Sequence, residues 1–184
     1  IPFLAPFVRT DGKTFPSLPG EAMEMFCRQC EQTARGTGCT ARGVCGKTAE
    51  AAILMDLLLY NLKAIAATCT APGNESAHTP NTTKTLVEGL FSTITNVDFD
   101  EERLEGLVRD SHLLLADIEK NLGIQESLIP VSERPSTRQD MLAKGAKVGV
   151  RFPSAMDETV RSLRETLLYG MKGMAAYADH AAIL

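Results

Sequence analysis

The chain has no tryptophan, and aromatic residues are only 5% of it, while alanine and leucine are abundant; that balance favours helices over strands. It also lacks any excess of positive charge. A net charge of −4 makes the chain as a whole a poor match for nucleic acid. No run of about 18 apolar residues is present, so no membrane-spanning helix is expected. The most apolar stretch, 51–67, is broken by Asp56, Asn61 and Lys63. Disorder is excluded by composition, since 44% hydrophobic and 23% charged residues are ordinary for a globular domain. There is no basic segment followed by an apolar one near the start, which argues against a secretory signal. The first residue is Ile1, not Met, so the chain is expected to begin inside a longer or processed protein. Residues 1–24, with Pro2, Pro6, Pro16 and Pro19, read as a loosely docked extension. A cytoplasmic location is expected, with an organelle (mitochondrion or plastid) as the alternative that such an extension raises. Cysteine is also sparse, with five in 184 residues, but four of them fall between Cys27 and Cys45. That clustering speaks for a metal or a catalytic dithiol and against a disulfide framework.

The rest of the chain reads as helices. Residues 25–47 have no apolar period and form an irregular, glycine-rich loop. A helix is predicted from Thr48 to Thr70, because Leu54, Leu58, Leu62, Ile65 and Cys69 share one face. A second is predicted from Thr83 to Asn96, with Leu86, Leu90, Ile94 and Val97 inward. Asp98 and Glu101 suggest a capping box for a third, whose buried stripe is Leu104, Leu107, Val108, Ser111, Leu115, Ile118 and Leu122 and whose stop is Gly123. Three successive amphipathic helices with short connections imply a three-helix bundle. Residues 124–153 are irregular, with one short helix from Arg138 to Lys147. Ser154 is expected to cap a final helix running to the chain end. The segment 58–67, LLYNLKAIAA, recurs at 167–176 as LLYGMKGMAA. The fold class is therefore all-α: a cysteine-rich cluster loop, a three-helix bundle, and the first helix of a second, truncated bundle. The expected division is an extension at 1–24, a cluster loop at 25–47, a helical bundle at 48–153 and the opening helix of the second bundle at 154–184.

The cysteine spacing is C-x2-C-x8-C-x5-C. A two-residue gap lets Cys27 and Cys30 point to one side of a tight turn as two corners of a metal polyhedron. Arg28, Arg35, Arg42 and Lys47 place positive charge around four thiolates, which offsets the negative charge of a thiolate-ligated cluster. Three chemistries suit such a loop: an iron–sulfur cluster, structural zinc, and a redox dithiol. Zinc sites more often repeat the short C-x2-C knuckle in their second half, and a dithiol lacks its usual strand–helix setting here.

The residues themselves carry more than the spacing. MFCRQCEQTA at 25–34, GTGCT at 36–40 and GVCGK at 43–47 closely resemble the N-terminus of the hybrid-cluster proteins, also called prismane proteins or hydroxylamine reductases. The likeness continues through GLFSTITN at 89–96 and from Arg161 to Ala181, so it covers about 25–184. It implies that Cys27, Cys30, Cys39 and Cys45 bind a cubane [4Fe-4S] cluster. It also implies a second, hybrid iron–sulfur–oxygen cluster, where hydroxylamine is reduced to ammonia and water, built by residues C-terminal to this chain. On that reading the segment holds no catalytic residue, and the whole protein is the enzyme. Its partners are a reductase or ferredoxin-like electron donor and the small molecule hydroxylamine, with no nucleic acid and no membrane. A zinc-stabilised helical module and a free-standing electron carrier are the rival readings.

The remaining candidates are expected to be structural. His78, His112 and His180 read as solvated or hydrogen-bonded side chains. Cys69 reads as a small buried hydrophobe, Tyr60 and Tyr169 as packing residues, and Met171 with Met174 as core or interface.

Overall fold

The structure is a computed structural model that describes residues 25–30, 34–94, 96–151 and 155–184. The 1–24 extension, residues 31–33 of the cysteine motif and the expected cap Ser154 lie outside the described residues. Among the described residues five α-helices follow in order: α1 (Ala49–Cys69), α2 (Pro80–Ser92), α3 (Glu101–Leu122), α4 (Arg138–Gly145) and α5 (Glu158–Ile183). Among the described residues there is no strand beyond an isolated bridge. The all-α reading holds.

α1 is the axis of the molecule. Thr48 caps it by accepting from the Ala51 N–H at 3.1 Å, and the helix packs against α2, α3 and α4. Its expected face is buried, but so are Ile53, Met55, Leu57, Leu59 and Ala64, so it is enclosed nearly all round rather than on one stripe. By length and composition alone α1 could cross a membrane (mean hydropathy 1.5), yet 72% of that window is buried inside the bundle, as in a core helix. One buried polar contact crosses the α1–α3 seam: Asn61 Nδ2 donates to Ser111 Oγ at 2.9 Å, and that hydroxyl donates to the Val108 carbonyl. On α3, Leu104, Val108, Ser111, Leu115 and Ile118 are buried as expected, and Gly123 ends the helix in the left-handed region at φ 67°. Arg138 at the start of α4 binds Glu50 of α1 and both Glu101 and Glu105 of α3, which ties three helices together at one point.

Several boundaries differ from the sequence reading. α2 starts at Pro80, because Thr79 accepts from the Thr82 N–H at 3.1 Å and Pro80 occupies the first helical position, where no N–H is needed. It stops at Ser92, since Ser92 and Thr93 turn their hydroxyls back on the Gly89 and Leu90 carbonyls and Asn96 takes a left-handed conformation. Val97, expected inward, is therefore exposed. The cap of α3 is Asp100, which accepts from the Glu102 and Arg103 N–H groups, while Asp98 supports it by accepting from the Asp100 N–H. The cap of α5 is Asp157, which accepts from the Val160 N–H at 3.1 Å. α5 then packs against α2.

Candidate metal centre

The cysteine loop lies on the N-terminal half of α1. Cys27 and Cys39 form an antiparallel bridge, each N–H donating to the other's carbonyl at 2.9 and 2.8 Å. Residues that exchange both hydrogen bonds in this way project their side chains to the same side, with Cα atoms about 5.5 Å apart. Both cysteines are buried in a small cluster with Met25 and Ala52, and Ala49 packs against it. They thus pack on the first turn of α1. Gly38 permits the bridge: its φ is +107°, and a Cβ there would stand 2.9 Å from the Phe26 ring. Cys45 sits in a tight turn closed by Gly43 N–H to the Lys47 carbonyl at 2.9 Å and Gly46 N–H to the Gly43 carbonyl at 2.8 Å. Cys30 is half-buried at the end of the first described segment.

All five cysteines are free thiols. The bridge brings Cys27 and Cys39 side by side, but among the described residues no three of the Cys, His, Asp and Glu side chains are gathered into one metal shell. The donor chemistry nevertheless fits a thiophilic metal cluster: four unoxidised thiols in one loop, two of them on one buried face. Cys69 is not among them. It is buried 24 residues along the chain from Cys45, and its thiol faces the Ala77 carbonyl at 3.9 Å.

The charges beneath the loop are more buried than the sequence suggests. Burial pushes the Cys27 thiol up, and the Lys47 ammonium opposes that effect. Lys47 is only 1% exposed and donates to the Met55 thioether at 2.9 Å, an unusual setting for an ammonium group. The expected arginines contribute less directly: Arg42 donates to the Gly46 carbonyl and Arg35 is exposed. A second buried cation, Lys172 of α5, donates to Gln29 Oε1 and to the Thr93 carbonyl, each at 3.3 Å. Gln29 Nε2 donates in turn to Asp56 at 3.2 Å. Desolvation pushes the Asp56 carboxyl up to about 7 and the Lys172 ammonium down to about 8. Tyr169, expected only to pack, donates its hydroxyl to the Arg28 carbonyl; burial first, then Glu165 and the neighbouring thiols, hold it up at about 12. Periodicity could not reveal these partners, which lie more than 140 residues apart in sequence.

The histidines divide. His78 is exposed and pairs through Nε2 with the Cys69 carbonyl at 2.9 Å, and His180 lies edge-on to Phe91 at 5.4 Å. His112 is neither solvated nor, at Nε2, hydrogen-bonded among the described residues: it is buried on α3. Of the two methionines, Met171 and Met174 are both exposed.

Four of the five free thiols of this all-α chain are thus collected in one loop against the first turn of its core helix, a donor set suited to a thiophilic metal. The Prismane/CO dehydrogenase family model matches residues 25–184, and the chain belongs to that family. Membership implies iron–sulfur cofactors. The chain is 43% identical over 168 residues to the hydroxylamine reductase of Desulfitobacterium hafniense (strain DSM 10664 / DCB-2), which covers 88% of this chain and 30% of that protein. It is 43% identical over 159 residues to the hydroxylamine reductase of Acetivibrio thermocellus (86% and 29%) and 44% over 164 residues to that of Thermoanaerobacter pseudethanolicus (86% and 30%). The chain therefore spans about 30% of the length of these relatives.

Proposed function

We propose that residues 25–184 are the electron-relay segment of a hydroxylamine reductase, with Cys27, Cys30, Cys39 and Cys45 holding a [4Fe-4S] cluster. The observation that carries this reading is the set of four free thiols in one loop, two of them paired on a buried face, within the region that matches the family. A cluster bound there supplies reversible one-electron transfer. The chain's own residues do the rest. The thiolates hold the metal, Met25, Ala49 and Ala52 keep water from the Cys27–Cys39 face, and Lys47 and Lys172 set positive charge beneath it. Four cysteine ligands leave no open iron position for a substrate, so cleavage of the N–O bond belongs to a second centre in the rest of the protein. Hydroxylamine takes up two electrons and two protons there and leaves as ammonia and water. The electrons come from a reductase or ferredoxin-like donor.

We also infer that α5 opens a second bundle. Two features support this: its cap Asp157 lies 109 residues after Thr48, in register with the repeated motif, and its Leu163, Leu167 and Met174 are exposed.

The test is anaerobic purification of the intact protein, which is expected to be brown, with broad visible absorption that dithionite bleaches. Serine at any one of the four loop cysteines is expected to remove or convert that spectrum, whereas Cys69→Ser leaves it intact. Colourless protein with one zinc per chain after reconstitution with iron and sulfide sinks the proposal.

A further inference from the structure

The two residues between Cys27 and Cys30 are both held from the far end of the chain. Tyr169 and Lys172 stand three apart on α5, close to one helical turn, so their side chains reach the same side. The Tyr169 hydroxyl donates to the Arg28 carbonyl. The Lys172 ammonium donates to the Gln29 side chain at 3.3 Å and, at the same distance, to the Thr93 carbonyl at the end of α2. Lys172 is only 3% exposed, and both of its hydrogen-bond partners are neutral oxygens. A cation buried on those terms is costly unless something negative lies close by. Burial and the Lys47 ammonium disfavour its charge, while Asp56, Glu165 and the Cys27 thiol favour it.

The repeat shows that this arrangement is particular to α5. In α1 the corresponding Lys63 is exposed, and the corresponding Tyr60 lies under the Lys144 ammonium, 5.5 Å from its ring centre. The same Tyr-x-x-Lys spacing therefore does different work in the two copies.

We propose that Tyr169 and Lys172 are positioning residues that clamp the C-x2-C turn from α5, and that Lys172 supplies the thiolate site with a buried positive charge. The charge half of this inference rests on the metal-site reading above; the clamp half does not. Reduction adds a negative charge to a cluster, so a fixed cation beside it raises the reduction potential, and loss of that cation lowers it.

Three substitutions in the intact protein separate the parts. Tyr169→Phe removes only the hydroxyl, Lys172→Met removes donor and charge, and Lys172→Gln keeps a donor without the charge. The first readout is amide hydrogen exchange across residues 27–30 in metal-free, reduced protein. Loss of one hydrogen bond is expected to speed local exchange about fivefold in Tyr169→Phe and in Lys172→Met, with α1 and α3 unchanged. The second readout is the midpoint potential after anaerobic reconstitution with iron and sulfide. It is expected to move to more negative values in both Lys172 variants and to stay in place in Tyr169→Phe. Unchanged exchange at 27–30, or an equal rise throughout the bundle, overturns the clamp; an unchanged potential in both Lys172 variants overturns the charge role. If wild-type protein takes up no cluster, the relay reading and the charge role fall together, and the exchange measurement still decides the clamp.

Discussion

Helices α1 and α5 carry one motif twice. Their caps, Thr48 and Asp157, stand 109 residues apart, and each accepts from the N–H three residues on. Their surroundings are opposite. Leu58 is 1% exposed, and its counterpart Leu167 is 60% exposed; Ile65 is 0% exposed and Met174 is 73%. α1 is closed in by α2, α3 and α4, whereas α5 rests on α2 and turns Lys172 and Tyr169 to the cysteine loop. The lesson is that a motif specifies a helix, its start and its apolar face, but not whether that face is covered. Coverage comes from the neighbours, and so does chemistry: a lysine that is solvated in one copy is buried beside thiols in the other.

The largest effect should come from cutting the shared leucine in each copy. Leu58→Ala leaves a hole in a closed core and is expected to destabilise the 184-residue chain by about 2–5 kcal/mol. Leu167→Ala removes an exposed side chain and is expected to stay within about 0.5 kcal/mol. Urea denaturation of the two variants measures both. Equal losses would break the contrast and mean that the α5 face is covered in solution. Repeating the pair in a longer form of the protein sharpens it, since a covered α5 face should then raise the cost of Leu167→Ala toward that of Leu58→Ala.

Acid should act on the closed half. α3, which covers α1, buries His112, and desolvation first, then Arg134 and Lys144, hold its imidazole down at about 4. The folded state thus favours the neutral ring. Its contribution is intact above the ordinary value of about 6.5 and is lost as the pH falls from there toward 4. The loss at the acid end is on the order of 3 kcal/mol. His112→Leu is expected to flatten the stability profile between pH 6.5 and 4 without lowering stability at neutral pH. An unaltered acid limb in that variant would show that other groups set it.

How much of this was legible beforehand depends on the range of the interactions involved. α1, α3 and α4 could be read because their apolar period and stop signals are local, as at Gly123. The start of α2 was written in Thr79-Pro80 and the cap of α3 in Asp100, although the apolar period pointed to Thr83 for the one and the capping-box spacing to Asp98 for the other. The four loop cysteines stood out by spacing. Their pairing did not, because the Cys27–Cys39 bridge crosses a stretch with no strand pattern. Lys172 and Tyr169 were hidden for a different reason: the repeat partner Tyr60 made Tyr169 look like packing, nothing local marks Lys172, and only three-dimensional proximity distinguishes the copies.

The smallest effect bears most directly on what α5 is for. Gly170 and Gly173 lie inside the helix at exposed positions, and a Cβ at either would meet nothing within 4 Å. Their counterparts in α1 are the buried Asn61 and Ala64. Glycine in a helix interior costs about 0.5–1 kcal/mol relative to alanine, because the unfolded chain is freer and the folded backbone less shielded. Gly170→Ala and Gly173→Ala should therefore each stabilise the 184-residue chain by about that amount, which thermal unfolding would register as a rise of about 1–4 °C. A glycine is worth its cost where another backbone comes close. If a helix from the rest of the protein packs on this face, the added methyl at Gly170, which shares the face with Leu163, Leu167 and Met174, should become a clash. The sign of the Gly170→Ala effect should then reverse between the 184-residue chain and the longer form. A stabilising effect of equal size in both would mean that the face stays open, and α5 would then be an end wall of the first bundle rather than the start of a second.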